Sequence, residues 1–366
     1  PGANEVDPYS GNQIRASFNR EVTNNLELSL SALKSDESIS YDGSASNFAL
    51  TDTIDRDTDL IRGAVAFETG AIGHELGITN GDFTRVLSFG TYDSDRRDFE
   101  YKGEIGVSGI SFTFGAHRSE ETIDAVGSKG NDKETAYFVE ANTSITDALA
   151  ISATARQTDS DDFGSNMSYR TAAIYRINNG IAFRAMGSSG FRAPSLYERY
   201  GYKGNKNLKP EESETQEIGV EKVYQSGSSV RMTVFNTTVD NLIEYSNGYT
   251  QSTNSRKSQG IEFEGKWLAS DTISVDGSYA YVDAKNGTEV AARVPGHDLS
   301  LSISANISPK INSNLEINHI MDYKDTVSGS LVDMPDYTVT NFAVSYDISN
   351  NLLGYVRVQD LMDTDY

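Results

Sequence analysis

The stretch LSLSISANIS, residues 299–308, alternates strictly between apolar and polar side chains. Leucine, isoleucine and alanine stand at its odd positions, and serine and asparagine at its even positions. Successive side chains of a β-strand point to opposite faces, so this stretch predicts a strand with one apolar and one polar face. The same alternation recurs at 26–31, 61–67, 112–116 and 352–359. The chain is therefore predicted to be all-β.

The composition limits the classes of protein that the chain can belong to. Of 366 residues, 37% are hydrophobic and 23% are charged, and none is cysteine. This balance excludes a disordered or collagen-like chain, and the lack of thiols excludes disulfides and zinc–thiolate sites. No apolar run approaches the roughly 18 residues of a helical membrane span. The net charge of −22 disfavours nucleic acid as a partner and favours cations.

Three features favour a membrane barrel over a soluble sandwich. The predicted strands at 229–246, 250–267 and 271–284 are longer than usual globular strands. Aromatic residues cluster near strand ends, as expected for an interfacial girdle. Tight turns alternate with long polar connections, as in outer-membrane barrels. The long connections are predicted at 35–57, 120–133, 158–165, 191–212, 285–295 and 325–335.

The predicted fold is therefore an antiparallel up-and-down transmembrane β-barrel. At one strand per ~20 residues the chain holds roughly 18 strands, whereas the largest transporter barrels have about 22. Residues 1–10 do not read as a signal peptide, and residues 359–366 read as a loop. Unpaired strand edges are not tolerated in lipid. We therefore predict that residues 1–366 are one barrel domain, truncated at both ends.

The most specific motif is GFRAPSLYE at 190–198, followed by NLKPEESETQEIGVE at 207–221. Two prolines fix the backbone and remove hydrogen-bond donors where a strand ends and a loop begins. The motif resembles the central signature of TonB-dependent receptors, and NLIEY at 241–245 and VRVQDLMDTDY at 356–366 follow in that family's order. The motif residues are Phe191, Arg192, Ala193, Pro194, Asn207, Leu208, Pro210 and Glu211.

The resemblance implies a receptor of the Gram-negative outer membrane that captures a scarce large solute for TonB-driven uptake. It further implies a 22-stranded barrel, a plug domain and a TonB box, and we expect the last two to be absent from this chain. Residues 278–302 are similar to cobalamin receptors, and a ferric siderophore is the other ligand class. Expected partners are the TonB complex, outer-membrane lipid and lipopolysaccharide. A passive porin-like channel is the alternative function.

Two sets of residues are candidates for binding. Aromatic side chains in the outer loops could contact an apolar or ring-bearing ligand: Tyr41, Phe48, Phe163, Tyr197, Tyr200 and Tyr202. Carboxylates in the acidic loop could supply oxygen ligands to Ca²⁺: Asp42, Asp52, Asp55, Asp57 and Asp59. A solvated acidic loop that binds no specific ion is the other interpretation.

Signals for an enzyme are weak. The histidines at positions 74, 117, 297 and 319 are far apart in sequence and form no metal-binding pattern. No nucleophile elbow, phosphate-binding loop or dinucleotide fingerprint occurs. We therefore expect no catalytic residue.

Overall fold

The computed structural model describes residues 8–42, 51–327 and 329–364, and most of them lie in antiparallel β-strands. The first twelve strands are β1 (Tyr9–Thr23), β2 (Leu26–Asp42), β3 (Thr51–Thr69), β4 (Ile72–Leu87), β5 (Gly90–Val107), β6 (Ile110–Ala125), β7 (Ser128–Ser144), β8 (Leu149–Ser160), β9 (Gly164–Ile177), β10 (Ile181–Arg192), β11 (Glu211–Val223) and β12 (Ser229–Asp240). A five-residue helix, α1 (Leu196–Tyr200), lies between β10 and β11.

The remaining strands complete the wall and decorate one rim. They are β13 (Ile243–Tyr245), β14 (Tyr249–Gln251), β15 (Arg256–Leu268), β16 (Ile273–Asn286), β17 (Glu289–Val290), β18 (His297–Ser308), β19 (Ile311–Met321), β20 (Tyr323–Val327), β21 (Ser330–Met334), β22 (Tyr337–Ser349) and β23 (Leu352–Val358). The strands β13–β14 and β20–β21 form separate two-stranded hairpins.

The wall is a single meander in which each long strand pairs with its neighbour in the chain. The main sheet has 19 strands, of which β17 is a two-residue extension, so 18 strands form the wall. This confirms the predicted strand number and the antiparallel barrel fold. Within the described residues, β1 pairs only with β2 and β23 pairs only with β22. In the same residues, no helix has the length and apolar character needed to cross a membrane.

Alternation gives the wall an apolar outer face and a polar inner face. Leu28, Val65, Leu76 and Tyr101 lie opposite one another on β2 to β5 and form one row of the outer face. The next residue along a strand points inward, where Arg62 forms ion pairs with carboxylates of two neighbouring strands. Because cross-strand partners share a face, the register carries the pattern from each strand to the next.

The two rims differ in the length of their connections. One rim has only short turns, such as 24–25, 70–71, 108–109 and 309–310. The other rim carries α1 and both small hairpins. Outer-membrane barrels have short periplasmic turns and longer extracellular loops. We therefore identify the rim with α1 as the extracellular one, and call it the outer rim.

The prediction of a long loop is wrong for several connections between strands. The strands continue into 35–57, where Asp36 pairs with Asp57, and only 43–50 lie between β2 and β3. The predicted loops at 120–133 and 158–165 shrink to tight turns between strands, and 325–335 is mostly the β20–β21 hairpin. Beyond the lipid both faces of a strand meet water, so hydrophobic alternation disappears while backbone pairing continues.

A charge on the outer face should destabilise the barrel. Leu76 is 44% exposed on that face. We expect Leu76→Arg to lower the free energy of unfolding by about 2–4 kcal/mol, because the guanidinium would enter hydrocarbon. Urea unfolding of the protein in lipid vesicles measures the change. The control is Thr154→Arg, since the Thr154 hydroxyl faces the lumen and donates to Glu140 at 3.2 Å. Equal stability of the two variants would contradict the assignment of the faces.

Candidate functional site at the outer rim

The signature motif folds into a capped turn at the end of β10. Pro194 ends the strand and is fully buried. Ser195 is the N-cap of α1, and its side chain accepts a hydrogen bond from the backbone N–H of Glu198. The Glu198 carboxylate in turn accepts from the backbone N–H of Ser195 at 2.7 Å, which completes a capping box. The sequence S-x-x-E therefore fixes the direction in which the chain re-enters the barrel mouth.

Arg192 connects this turn to the start of β11. Its Nε donates to Glu211 at 2.6 Å, and its Nη1 lies 3.0 Å from an oxygen of Glu198. Arg192 and Glu211 are also the last cross-strand pair of β10 and β11. One guanidinium thus serves two carboxylates, a geometry that the planar fork of arginine permits. We call Arg192, Glu198 and Glu211 the arginine clamp.

The clamp also holds the connection that follows β12. The second oxygen of Glu211 accepts from the backbone N–H of Ile243 at 2.7 Å. Burial raises the pKa of Glu211, but the hydrogen bonds from Arg192 and from Ile243 lower it more, so the pKa lies below its ordinary value. Leu208 is buried beneath the loop. The predicted motif residues Arg192, Pro194, Leu208 and Glu211 are therefore structural at this rim.

Aromatic rings from three connections of the outer rim meet in one group. We call Phe89, Tyr92, Tyr197, Tyr202, Tyr245 and Tyr249 the rim aromatic cluster. Tyr197 lies at its centre, with ring centroids 5.1 Å from Tyr92 and 6.1 Å from Tyr249. Burial raises the pKa of Tyr92 to about 12, so its phenol stays neutral. Tyr92 is buried, whereas Phe89, Tyr202 and Tyr245 are exposed, so those three rings form the accessible part of the cluster. Exposed aromatic rings suit a ligand with flat apolar parts.

A second group of rings surrounds a buried arginine. The Arg199 guanidinium lies 5.0 Å from the centroid of Phe163 and 5.1 Å from that of Tyr200. It donates to Asp162 at 2.5 Å, although Arg199 is only 6% exposed. This contact attaches α1 to the β8–β9 turn. Cation–π contacts of this type strengthen when water is excluded.

The structure brings together four of the six aromatic residues proposed for ligand contact. Tyr197 and Tyr202 lie in the rim aromatic cluster, and Phe163 and Tyr200 flank Arg199. Tyr41 lies instead on β2, opposite Asp52. Phe48 lies outside the described residues. Ligand contact by any of the six stays a prediction.

The sequence did not reveal the cluster residues Phe89, Tyr92, Tyr245 and Tyr249. Each lies beside a turn of the outer rim, at 88–89 or 246–248. An aromatic residue flanking a Gly-containing turn was the available signal, but the same signal marks many ordinary strand ends. Their convergence depends on the order of the strands along the sheet, which is a long-range property.

The acidic residues proposed for calcium lie on paired strands rather than in a loop. Asp55, Asp57 and Asp59 share the outer face of β3. Asp59 forms an ion pair with Lys34 at 3.1 Å, and Asp55 accepts from the Ser38 hydroxyl. Asp52 lies further along β3, and the side chain of Asp42 is outside the described atoms. Across the described residues, no three acidic or histidine side chains converge on a metal position. Calcium binding stays a prediction.

The histidines are held separately by local partners. His117 Nε2 lies 3.0 Å from Asp98 on the lumen side, and His297 Nδ1 lies 2.7 Å from the Tyr279 hydroxyl. His74 lies 3.0 Å from the hydroxyl of Tyr101. Each ring serves a cross-strand hydrogen bond within the wall.

The comparisons with known proteins agree with this geometry. The family model "TonB dependent receptor-like, beta-barrel" matches residues 2–361. The chain belongs to the TonB-dependent receptor family. It is therefore an outer-membrane barrel protein of that family, and the receptor resemblance read from the motif is confirmed.

Individual relatives agree with the family and with the fold. The chain is 25% identical to the vitamin B12 transporter BtuB of Photobacterium profundum over 311 residues, which are 78% of this chain and 49% of that one. The siderophore receptor PirA of Acinetobacter baumannii superposes with a TM-score of 0.83 at 15% identity, over 97% of this chain and 67% of that one. A mutant of the ferric enterobactin receptor PfeA of Pseudomonas aeruginosa superposes with a TM-score of 0.83 at 17% identity, over 97% of this chain and 64% of that one. The chain thus spans about half the length of the curated relative.

Breaking the arginine clamp should loosen the outer rim. We expect Arg192→Gln to destabilise the segment 193–210 by about 1–3 kcal/mol, because two largely buried carboxylates lose a charged partner that is itself half exposed. Limited proteolysis of the receptor in detergent, followed by mass spectrometry of the cut sites, measures the loss. Arg192→Lys should give an intermediate result, since an ammonium lacks the planar fork. Wild-type resistance in Arg192→Gln would contradict the role of the clamp.

The clamp should also weaken in acid. The pKa of Glu211 is lower in the folded state than its ordinary value of 4.5. Its contribution is therefore complete above that ordinary value and is lost as the pH falls through the folded pKa. We expect Glu211→Gln to be less stable than wild type at neutral pH and the difference to shrink toward about pH 3. Thermal unfolding of both proteins across that range measures it, and a constant difference would contradict the assignment.

Proposed function

We propose that this protein is an outer-membrane receptor that captures a scarce, large solute at its outer rim for TonB-driven uptake. The observation that carries the proposal is the combination of family membership with the rim aromatic cluster, which lies over the lumen and is positioned by the arginine clamp. The wall strands present no rings in such a group inside the lumen, within the described residues, so capture is assigned to the rim.

The proposed ligand class is a cobalamin or a ferric siderophore. The sequence relative is named a vitamin B12 transporter, which favours cobalamin. The structural neighbours are named siderophore receptors, and they support the fold. A large ring-bearing solute suits the group of tyrosine rings at the outer rim. Between the two classes, the relationship in sequence leads us to propose cobalamin.

Energy coupling is assigned to parts of the receptor outside residues 1–366. A plug domain would occupy the lumen, and a TonB box would contact the TonB complex. The lumen offers fixed charges that a plug can use, including Arg231, which pairs with Glu221 at 3.3 Å and with Glu264 at 2.8 Å. A passive porin-like channel is the competing function. We favour the receptor because the chain belongs to a receptor family, whose signature motif forms α1 and its capped turn against β6 and β7 at the outer rim.

We further propose that the protein is not an enzyme. Its family consists of receptors, and its histidines are engaged in separate hydrogen bonds within the wall. Calcium at the outer ends of β2 and β3 is a separate proposal. It would use carboxylates such as Asp36 and Asp57, which lie opposite each other. Titration of the receptor with Ca²⁺, with and without chelator, tests it.

Calorimetry of the full receptor with cyanocobalamin and with ferric enterobactin tests the main proposal. We expect cobalamin to bind, and the double variant Tyr197→Ala, Tyr249→Ala to bind about tenfold or more weakly, because two rings at the centre of the cluster are removed. The control is Tyr224→Ala, at the opposite rim.

The outcomes separate the alternatives. Binding of the ferric siderophore alone would reject cobalamin but retain the receptor. Binding of neither solute, together with free diffusion of small solutes through the receptor in liposomes, would favour the passive channel.

A further inference from the structure

Two arginines lie side by side on the lumen face of the wall, close to the outer rim. Arg85 lies an even number of residues along β4 from Thr79, which is opposite the lumen-facing Arg62. Because residues an even number apart in a strand share a face, Arg85 also faces the lumen. Arg56 of β3 is its direct cross-strand partner. Like charges directly opposite on one face repel each other, so this pairing does not stabilise the wall.

Neither arginine is neutralised by a close partner. Within the described part of the chain, neither forms an ion pair, and the Nε of Arg85 is buried with no hydrogen-bond partner. Burying an N–H of a charged group without an acceptor costs stability. Arg56 is exposed and Arg85 is half-buried, so solvent reaches both residues. Departures of this kind from the rules of stable packing occur at functional sites.

The carboxylates around the pair do not cancel its charge. Glu37 of β2 is opposite the β3 arginine, so it offsets one of the two cations. Glu198 of α1 binds Arg192 at 3.0 Å. The aspartates on either side of the β3 arginine in the sequence face outward. Asp52 shares the lumen face, but it lies four residues further along β3, or about 13 Å away. The lumen wall therefore carries one excess positive charge at this level.

The pair adjoins the rim aromatic cluster. Tyr92 is opposite Arg85 on β5, and its ring centroid lies 5.1 Å from that of Tyr197. Burial raises the pKa of Tyr92 and of Tyr249, and the charge of Arg85 lowers both in part, as expected for a cation beside these rings. A solute in contact with the cluster would therefore have an unpaired guanidinium within reach.

The connection that carries Tyr202 is also basic. Residues 199–209 hold four basic residues and no Asp or Glu: Arg199, Lys203, Lys206 and Lys209. Asp132, Asp161 and Asp162 outweigh the charge of Arg199. The three lysines form no ion pair among the residues that the structure describes. In a chain with a net charge of −22, this part of the rim attracts an anion that the rest of the surface repels.

We propose that Arg85 determines the specificity of the solute site by binding, together with Arg56, an anionic oxygen group of the captured solute, while the exposed rings of the rim aromatic cluster contact its apolar part. The inference rests on the proposed function, because it assigns a role within the same site. A guanidinium presents paired donors that match phosphate and carboxylate oxygens. Cobalamin carries such a group in its phosphodiester, so the proposed solute has one part for each surface.

Calorimetry of the full receptor with cyanocobalamin and with dicyanocobinamide, which keeps the corrin ring but lacks the phosphodiester, tests the assignment. We expect Arg85→Gln to weaken cyanocobalamin binding about tenfold or more and to change dicyanocobinamide binding less than about twofold, because the lost contact is to the phosphate. Arg97→Gln is the matched control. It removes the same charge from the adjacent strand β5, on the outer face, where Arg97 donates to Asn80.

Arg56→Gln is the second variant, and it should weaken cyanocobalamin binding in the same selective way. A heat-induced gel shift verifies that each variant is folded. Wild-type affinity for cyanocobalamin in Arg85→Gln, or an equal loss of affinity for both corrinoids, would overturn the inference. If the wild type binds ferric enterobactin instead, Arg85→Gln should weaken that binding, and an unchanged affinity would overturn the inference.

Failure of the proposed function gives a different result, since the wild type then binds none of these solutes. Inorganic pyrophosphate tests the arginine pair by itself in that case. Pyrophosphate should raise the Tm of the wild-type protein but not that of Arg85→Gln, because an anion that binds only the folded state stabilises it. Equal shifts, or no shift in either protein, would overturn the inference.

Discussion

The structure depends on one constraint: every backbone N–H and C=O that meets hydrocarbon must be paired within the protein. A meander of long antiparallel strands satisfies it, because each wall strand between β1 and β23 has a paired neighbour on both sides. The side chains are then free to differ between the two faces. Alternation of apolar and polar residues follows from this constraint. The same alternation allowed the fold to be predicted from the sequence.

The prediction from sequence succeeded where the strand lies in lipid and failed beyond it. Residues 299–308, which alternate strictly, fall within β18. The segments 35–42 and 51–57 lack this alternation and were wrongly predicted to lie in a loop, although β2 and β3 stay paired from Leu26↔Phe67 to Asp42↔Thr51. Hydrophobic contrast needs lipid on one side, whereas hydrogen bonding between strands does not. A sequence pattern therefore reports the height of the membrane better than the length of the strand.

Some features of the candidate site follow from local sequence signals, whereas others depend on long-range strand pairing. Pro194 after a strand, and Ser195 with Glu198 three residues later, are local signals for a stop and a capped helix, and α1 follows from them. The pairing of Arg192 with Glu211 needs the register of β10 and β11, in which the two residues are opposite. The meeting of Tyr92, Tyr197 and Tyr249 needs the entire order of strands around the wall. No local sequence pattern specifies which rings come into contact. The motif therefore located the site in the sequence, but it did not predict which residues form the aromatic cluster.

Because side chains alternate along each strand with a period of two residues, the same strands present one set of side chains to the lumen and another to the outer face. On β6, His117 faces the lumen and bonds Asp98, while the adjacent Arg118 faces outward beside Glu120. On β5, Arg96 pairs with Asp98 inside, while the adjacent Arg97 bonds Asn80 outside. Because neighbours in sequence lie on opposite faces, a substitution changes one surface and leaves the other intact. A slip of register by one residue would exchange the two sets and place charge in lipid, so the same parity that separates the functions also fixes the pairing.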